Sequence, residues 1–241
     1  MESKQKIYEC AKILFFEKGY KSVTKKQVAE LSGCNQGLIN YYFKELSNIA
    51  SLINAERYSI ISGYVKDYVT AKENPFLFSN TIDYYNHLID SNYETAARFE
   101  TEAFEEFIFG HAAYDYAFRD DILAQMGYQK PEMSDMGINK DYELISSLRM
   151  GLRGSYLSKV ASGINIPFED YMFFNAKMTS CALNMNMNEE EIRSKLEQSK
   201  KLAERIWEEH PGLHNPADFL YHKGILKGEP VLDLLNSVTF D

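Results

Sequence analysis

The stretch TKKQVAELSGCNQGLINYYFK, residues 24–44, decides the fold that we predict for the start of this chain. Thr24, followed three residues later by Gln27, is a capping box, which is a signal for the start of a helix. Gly33 ends that helix in a tight turn, and Asn35 is suited to cap the next one. The pattern predicts two short helices joined by a three-residue turn, as in a helix-turn-helix.

The sequence on either side of this stretch also predicts helices. Apolar residues recur at spacings of three and four, and no convincing alternation of apolar and polar residues occurs. A first helix should end at Gly19. A fourth should be capped by Ser47 and should end near Pro75, because the residue before a proline avoids helical geometry. Further helices are expected at about 76–90, 93–109, 112–127, 139–162, 168–185 and 189–208, with a loop at 127–140.

The predicted fold class is therefore all-α. We divide the chain into an N-terminal three-helix helix-turn-helix domain (1–48), a larger helical domain (49–210) and a C-terminal extension (211–241). Hydrophobic residues make up 45% of the 241 residues, which is enough to bury a core.

Several protein classes are excluded by composition. No run of about 18 apolar residues occurs, so we expect no membrane-spanning helix. The N-terminus lacks the apolar core of a signal peptide. Cys10, Cys34 and Cys181 are far apart and lack metal-binding or redox spacing, which is typical of reduced thiols in a cytoplasmic protein.

Charge is distributed unevenly along the chain. The first 50 residues carry eight lysines and five acidic residues, a net +3, whereas the whole chain has a formal net charge of −9. The remaining residues therefore carry −12. This asymmetry favours a polyanionic partner that binds at the N-terminal end only.

Candidate DNA contacts lie in the two short helices. Lys25 and Lys26 occupy the first turn of the second helix, where the helix dipole disfavours cations, and this suggests a phosphate partner. The alternative is that both lysines are merely solvated. Gln36 and Asn40 share one face of the third helix and carry amides suited to adenine, and Leu38 is suited to a thymine methyl.

The end of the third helix offers further phosphate donors. Tyr41, Tyr42 and Lys44 can donate to the DNA backbone and set the register. The alternative for the tyrosines is packing against the first and fourth helices, which we expect for one of them. Ile39 and Phe43 should point into the core.

Five segments within residues 7–53 form a recognisable pattern: IYECA (7–11), FFEKGY (15–20), TKKQVA (24–29), GCNQG (33–37) and YYFK (41–44). The helix lengths, both glycines and the closing aromatic-Phe-Lys coincide with the pattern of one protein family. Residues 7–53 therefore resemble the TetR family of transcriptional regulators.

The resemblance implies an all-α homodimer with an N-terminal DNA-binding domain and a C-terminal ligand-binding domain. We expect no cofactor. In the family the ligand usually releases the DNA. It implies that Thr24 and Lys25 approach phosphates, that Asn35, Gln36, Gly37 and Leu38 enter the major groove, and that Tyr41, Tyr42 and Lys44 hold the backbone.

The sequence departs from the family pattern after Lys44. The family commonly has Ser-Lys-Glu-Glu-Leu at this point, whereas Glu45, Leu46 and Ser47 stand here, and Asn40 replaces a common tyrosine. We expect a weakened or unusual operator. The alternative function is a ligand-sensing or interaction protein with weak or lost DNA affinity.

Two apolar stripes near the end of the chain predict a dimer interface built as a four-helix bundle. An intramolecular core seam is an equal alternative from the spacing alone, and the family resemblance favours the dimer. The first stripe is Tyr171, Phe174, Met178, Cys181 and Met185; the second is Ile192, Leu196, Ala203 and Ile206.

The middle of the chain is rich in aromatic residues, which suggests a pocket for a largely apolar or aromatic effector, although such stripes more often form core. We name Tyr68, Phe107, His111 and Met178 as candidate ligand contacts. Arg149 and Arg153 are suited to bind an anionic group, but solvated arginines are the preferred interpretation. An enzyme is not expected, because no nucleophile elbow, phosphate loop or dinucleotide motif appears.

Overall fold

The computed structural model describes residues 3–109, 140–182 and 185–214, and every regular element in those ranges is a helix. The all-α prediction is confirmed. The helices are α1 (Ser3–Lys18), α2 (Lys25–Ser32), α3 (Gln36–Phe43), α4 (Leu46–Val65), α5 (Pro75–Asn92), α6 (Glu94–Phe109), α7 (Lys140–Ala161), α8 (Phe168–Ala182) and α9 (Glu189–Glu209), with 3-10 turns at Tyr20–Ser22 and Pro211–Leu213.

The helix caps predicted at Thr24 and Asn35 are present. The Thr24 hydroxyl accepts from the backbone amide of Gln27 at 3.3 Å and completes a capping box. The Asn35 side chain accepts from the backbone amide of Gly37. Gly19 follows α1 with a φ of 86°, a conformation that favours glycine. These signals act over three or four residues, which is why the sequence alone predicts them.

The predicted bounds of the fourth helix are wrong at both ends. α4 begins at Leu46, so Ser47 lies inside the first turn, and the Asn48 amide donates to the Phe43 carbonyl at 2.8 Å. α4 ends at Val65 and is followed by a turn. The next helix, α5, is capped by the Asn74 side chain, which accepts from the backbone amide of Leu77.

The first three helices, called the head below, pack around shared apolar residues. Ile7 and Phe15 of α1 are buried together with Ile39 and Phe43 of α3. The predicted inward orientation of the last two is confirmed. The head has no separate core, because Phe99 of α6 stacks on Phe15 at 6.0 Å and on Phe16 at 5.0 Å between ring centroids.

The remaining described helices, called the body below, include a long contact between α9 and α5. The carbonyl of Ser199 lies 3.5 Å from the Thr81 hydroxyl, and Trp207 lies against Tyr85. Four α9 residues that we predicted to meet a second subunit are instead buried inside one chain. The dimer assignment is therefore withdrawn for Ile192, Leu196, Ala203 and Ile206.

Other predictions are limited by the described ranges. None of the described helices has an apolar stretch long enough to cross a membrane. The three cysteines are free thiols. The predicted helix at 112–127 and the chain after residue 214 lie outside the described residues.

Candidate nucleic-acid interface

The exposed face of α3 carries most of the predicted base contacts. Gln36, Gly37 and Asn40 are exposed, while Leu38 is half-buried and packs against the core. A side chain added at Gly37 would place its Cβ 3.3 Å from the Asn35 carboxamide oxygen. The N-terminal turn of α3 therefore presents glycine backbone and polar side chains to the surroundings.

The two tyrosines at the end of α3 differ in their environment. Tyr41 is 74% exposed, whereas Tyr42 is half-buried and packs against the core. Their rings meet edge to face at 5.1 Å, and Tyr42 also contacts Phe43. The expectation that one tyrosine packs inward is met by Tyr42, and Tyr41 keeps a free surface.

Lys25 is held by contacts within the chain. Its Nζ donates to the Asn40 Oδ1 at 2.8 Å and to the Lys44 carbonyl at 2.6 Å, and it lies 2.9 Å from the Glu45 carboxylate. Its side chain is only 27% exposed. The ammonium thus neutralises the negative C-terminal end of α3, which explains a cation in the first turn of α2.

This arrangement corrects the sequence-based argument about the two lysines. The unfavourable position of Lys25 at the start of α2 is compensated by α3, so it needs no external phosphate. Lys26 is exposed and has a weaker contact, 3.9 Å to Glu30 one turn along the helix. Thr24 is exposed beside it as the N-cap, and Lys44 is exposed at the end of α3 with a φ of 60°.

Comparison of this chain with known protein families, with curated proteins and with solved structures finds no match. The resemblance to the TetR family therefore rests on the motifs of residues 7–53 alone, and the role of the α3 surface is argued from its chemistry.

A buried ion pair fixes the head to α4. Lys12 and Glu56 are both 0% exposed, and the Lys12 ammonium lies 2.9 Å from the Glu56 carboxylate, which also accepts from the Tyr8 hydroxyl at 2.8 Å. Burial raises the pKa of Glu56, and Lys12 opposes that rise. This pair was not predicted by the sequence analysis, since its members are 44 residues apart.

α6 holds the end of α1 through polar contacts that the sequence analysis missed. The Arg98 guanidinium donates to the carbonyls of Phe16 and Glu17, both at 3.1 Å. One turn along α6, the Glu102 carboxylate accepts from the Lys21 amide at 2.9 Å. Gly19 lies so close to Glu102 that a Cβ there would be 2.8 Å from the carboxylate.

A cluster of buried charges joins α4, α5, α6 and α7. Arg57 donates to Asp90 at 2.8 Å, and the Arg153 guanidinium donates twice to Glu100, at 3.0 and 2.7 Å. Burial alone would raise the pKa of the Glu100 carboxyl. The nearby charges of Arg153 and Arg57 and a hydrogen bond with Asp90 have the larger effect, and they lower this pKa to about 2.

The preferred interpretation of Arg149 and Arg153 as solvated is wrong. Arg153 is largely buried, with its guanidinium 5.6–5.8 Å from the rings of Tyr156, Phe168 and Tyr171. Arg149 pairs with Asp83 at 3.3 Å. The charges of both arginines are already matched by carboxylates.

Of the four candidate ligand contacts, the structure describes the side chains of two, Tyr68 and Met178. Tyr68 is half-buried at the end of α4, where its hydroxyl bonds to Glu209 and His210 at the end of α9. Burial raises the pKa of Tyr68 to about 12, aided by Glu209. Met178 is half-buried on α8. Phe107 and His111 lie outside the residues whose side chains are described.

The first predicted dimer stripe is partly open to solvent. Phe174 is 52% exposed and Cys181 is exposed. Met178 and Met185 are half-buried, whereas Tyr171 is buried and stacks on Tyr156. Of the two stripes, only this one presents apolar side chains that a second chain can reach.

Proposed function

We propose that this protein is a ligand-responsive transcriptional repressor that binds a pseudo-palindromic DNA site as a homodimer. A small, largely apolar or aromatic effector releases it. The observation that carries the proposal is the exposed face of α3, where Gln36, Asn40 and Tyr41 stand out from a head with a net positive sequence charge. The TetR-like motifs support the same function.

The contacts between head and body suggest how an effector alters DNA binding. α4 is tied to the head through Glu56, and α6 is tied to it through Arg98 and Glu102. A ligand in the body that favours one arrangement of α4 and α6 changes the separation of the two α3 helices in the dimer. It shifts this equilibrium only by its differential affinity for the two arrangements.

The proposal is tested with duplexes selected by the protein from a random library. We expect log affinity to fall linearly with log salt, with a slope of about −0.9 for each phosphate neutralised. Gln36→Ala should weaken binding to the selected duplex by about 1–3 kcal/mol and leave scrambled duplex unchanged. Gln198→Ala is the matched control, because Gln198 is an exposed glutamine on α9. Equal losses on both duplexes would remove Gln36 from base recognition.

The homodimer is proposed to form through α8, because Phe174 is a large apolar side chain left exposed on that helix. A two-fold dimer places its reading helices about 34–36 Å apart. Sedimentation should show a dimer at micromolar concentration, and Phe174→Asp should shift it to monomer because a carboxylate is costly in an apolar interface. Phe173→Asp, on a half-buried neighbour that packs against the core, serves as a comparison for unfolding. A wild-type monomer would contradict this proposal.

Two observations favour the alternative function, a ligand-sensing or interaction protein with weak or lost DNA affinity. The Glu45 carboxylate lies at the interface, 2.9 Å from Lys25, and Leu46 stands where the family commonly has lysine. An acidic group repels phosphate. If the selection enriches no sequence and binding to duplex does not depend on salt, this alternative replaces the repressor.

A further inference from the structure

The contact between Lys25 and Asn40 determines which way the Asn40 amide faces. An ammonium group has three donors and no acceptor, so the amide atom that lies 2.8 Å from the Lys25 Nζ must be the oxygen. The assignment of the amide orientation therefore follows from the chemistry of the pair. The Asn40 amino group, Nδ2, therefore remains available to donate to an external partner.

The other contacts of the Lys25 ammonium keep the Asn40 amide in this orientation. The same ammonium is held by the Lys44 carbonyl at 2.6 Å and by Glu45 at 2.9 Å. Lys25 is thus bonded to both ends of the turn that joins α3 to α4. Rotation of the Asn40 amide would place its NH2 group against a positive charge, which is unfavourable.

The orientation decides what Asn40 is able to read. Bidentate pairing with adenine needs an amide that donates to N7 and also accepts from the N6 amino group. The Asn40 oxygen is bonded to an ammonium, and this positive charge opposes the approach of a second donor. Guanine presents two acceptors, N7 and O6, in the major groove.

We infer that Lys25 makes Asn40 a donor-only reader, so that Asn40 selects guanine over adenine at its base position. The inference rests on the proposed DNA binding and replaces the adenine expected for Asn40 from the sequence. Gln36 remains free to read adenine one helical turn away. Lys25 acts here as a positioning residue, because it sets the orientation of Asn40 without contacting a base.

The inference is tested by selecting duplexes from a random library with the wild type and three variants. Lys25→Met keeps the length of the side chain and removes the donor, so the amide can turn and adenine should become acceptable. Asn40→Ala should remove the preference at that position altogether. Lys26→Met is the matched control. Lys26 is a candidate phosphate contact that meets only Glu30 in the described structure, so its loss should weaken binding to all duplexes alike and keep the wild-type base preference.

Affinities for two duplexes that differ by one G·C to A·T exchange at this position give the measurement. We expect about a tenfold preference for guanine in the wild type and less than about twofold in Lys25→Met. Replacing the guanine by 7-deazaguanine, which lacks the N7 acceptor, should weaken wild-type binding and leave Asn40→Ala unaffected.

A fourth variant keeps the test decisive if Lys25→Met does not fold, as judged by circular dichroism. Asn40→Asp leaves Lys25 with an acceptor but removes the outward donor, so the guanine preference should disappear. If the wild type enriches no duplex, the proposed function fails and this inference fails with it. If the wild type selects a site but prefers adenine where Asn40 acts, or if Lys25→Met keeps the guanine preference, only this inference is overturned.

Discussion

Two consecutive residues of α4, Glu56 and Arg57, lie in two separate buried ionic sites, one on the head side and one on the body side. Glu56 faces the head and pairs with Lys12, with Glu9 as a further carboxylate 3.3 Å from that lysine. Arg57 faces the body and belongs to a larger cluster with Asp90 and Glu100. The first site depends on one buried cation, whereas the second has Arg57 and a further arginine, Arg153, for its two acids.

The two buried sites should therefore differ in how well they tolerate the loss of a cation. A buried charge is stabilised only while it is paired and hydrogen-bonded. In the head, loss of Lys12 leaves the Glu56 carboxylate with the Tyr8 hydroxyl as its remaining side-chain donor among the described residues. In the body, loss of one arginine leaves another beside the same acids. We therefore expect the head site to be the more sensitive.

Removing the head cation should have the largest effect. Lys12→Met should lower the free energy of unfolding by about 3–5 kcal/mol, because it leaves an uncompensated buried carboxylate. Adding Glu56→Gln to this variant should recover much of the loss, since glutamine still accepts from Tyr8 and carries no charge. Urea unfolding at pH 7 measures both changes.

A partly exposed pair of the body is the control for this comparison. Arg149 and Asp83 are 25% and 22% exposed at their side chains, and Arg149→Met should cost no more than about 1 kcal/mol. Equal losses in Lys12→Met and Arg149→Met would show that burial of the pair does not set its energetic role.

Acid should produce a smaller effect through His87, which faces the body cluster. His87 stacks on Phe168 at 3.6 Å, and burial, with Arg153, lowers its pKa from 6.5 to about 4. Between those values the unfolded chain binds a proton that the folded chain does not, so this part of the stability is present above pH 6.5 and is lost as the pH falls towards 4.

The expected loss from His87 between pH 7 and pH 5 is about 1 kcal/mol, reduced because the ring is partly exposed. Unfolding curves of the wild type and His87→Gln at both pH values measure it. The variant should lose less stability on acidification. If both proteins lose the same amount, His87 is not the group responsible.

Local features of the fold could be predicted from the sequence. The capping boxes at Thr24 and Asn188 depend on residues three positions apart, and Gly19 marks the end of α1 by itself. The helices of the head follow from such signals. The exposure of Gln36 follows from helical periodicity once the core face of α3 is known.

Pairings between distant parts of the chain could not be predicted. Nothing near Lys25 in the sequence indicates that its charge meets the end of α3, 15 to 20 residues away. The heptad spacing of α9 fits an intermolecular seam as well as an intramolecular one, and only the position of α5 decides between them. The ion pairs of Arg149 and Arg153 could not be predicted for the same reason.

The stacking of Phe99 on Phe15 and Phe16 limits the independence of the N-terminal helices. These rings are shielded from water by a helix that begins at residue 94. A polypeptide cut after residue 48 would return their apolar surface to solvent, at about 25 cal/mol for each Å² exposed. The N-terminal segment is therefore not a transplantable module: grafted onto an unrelated protein, it would need a substitute for α6.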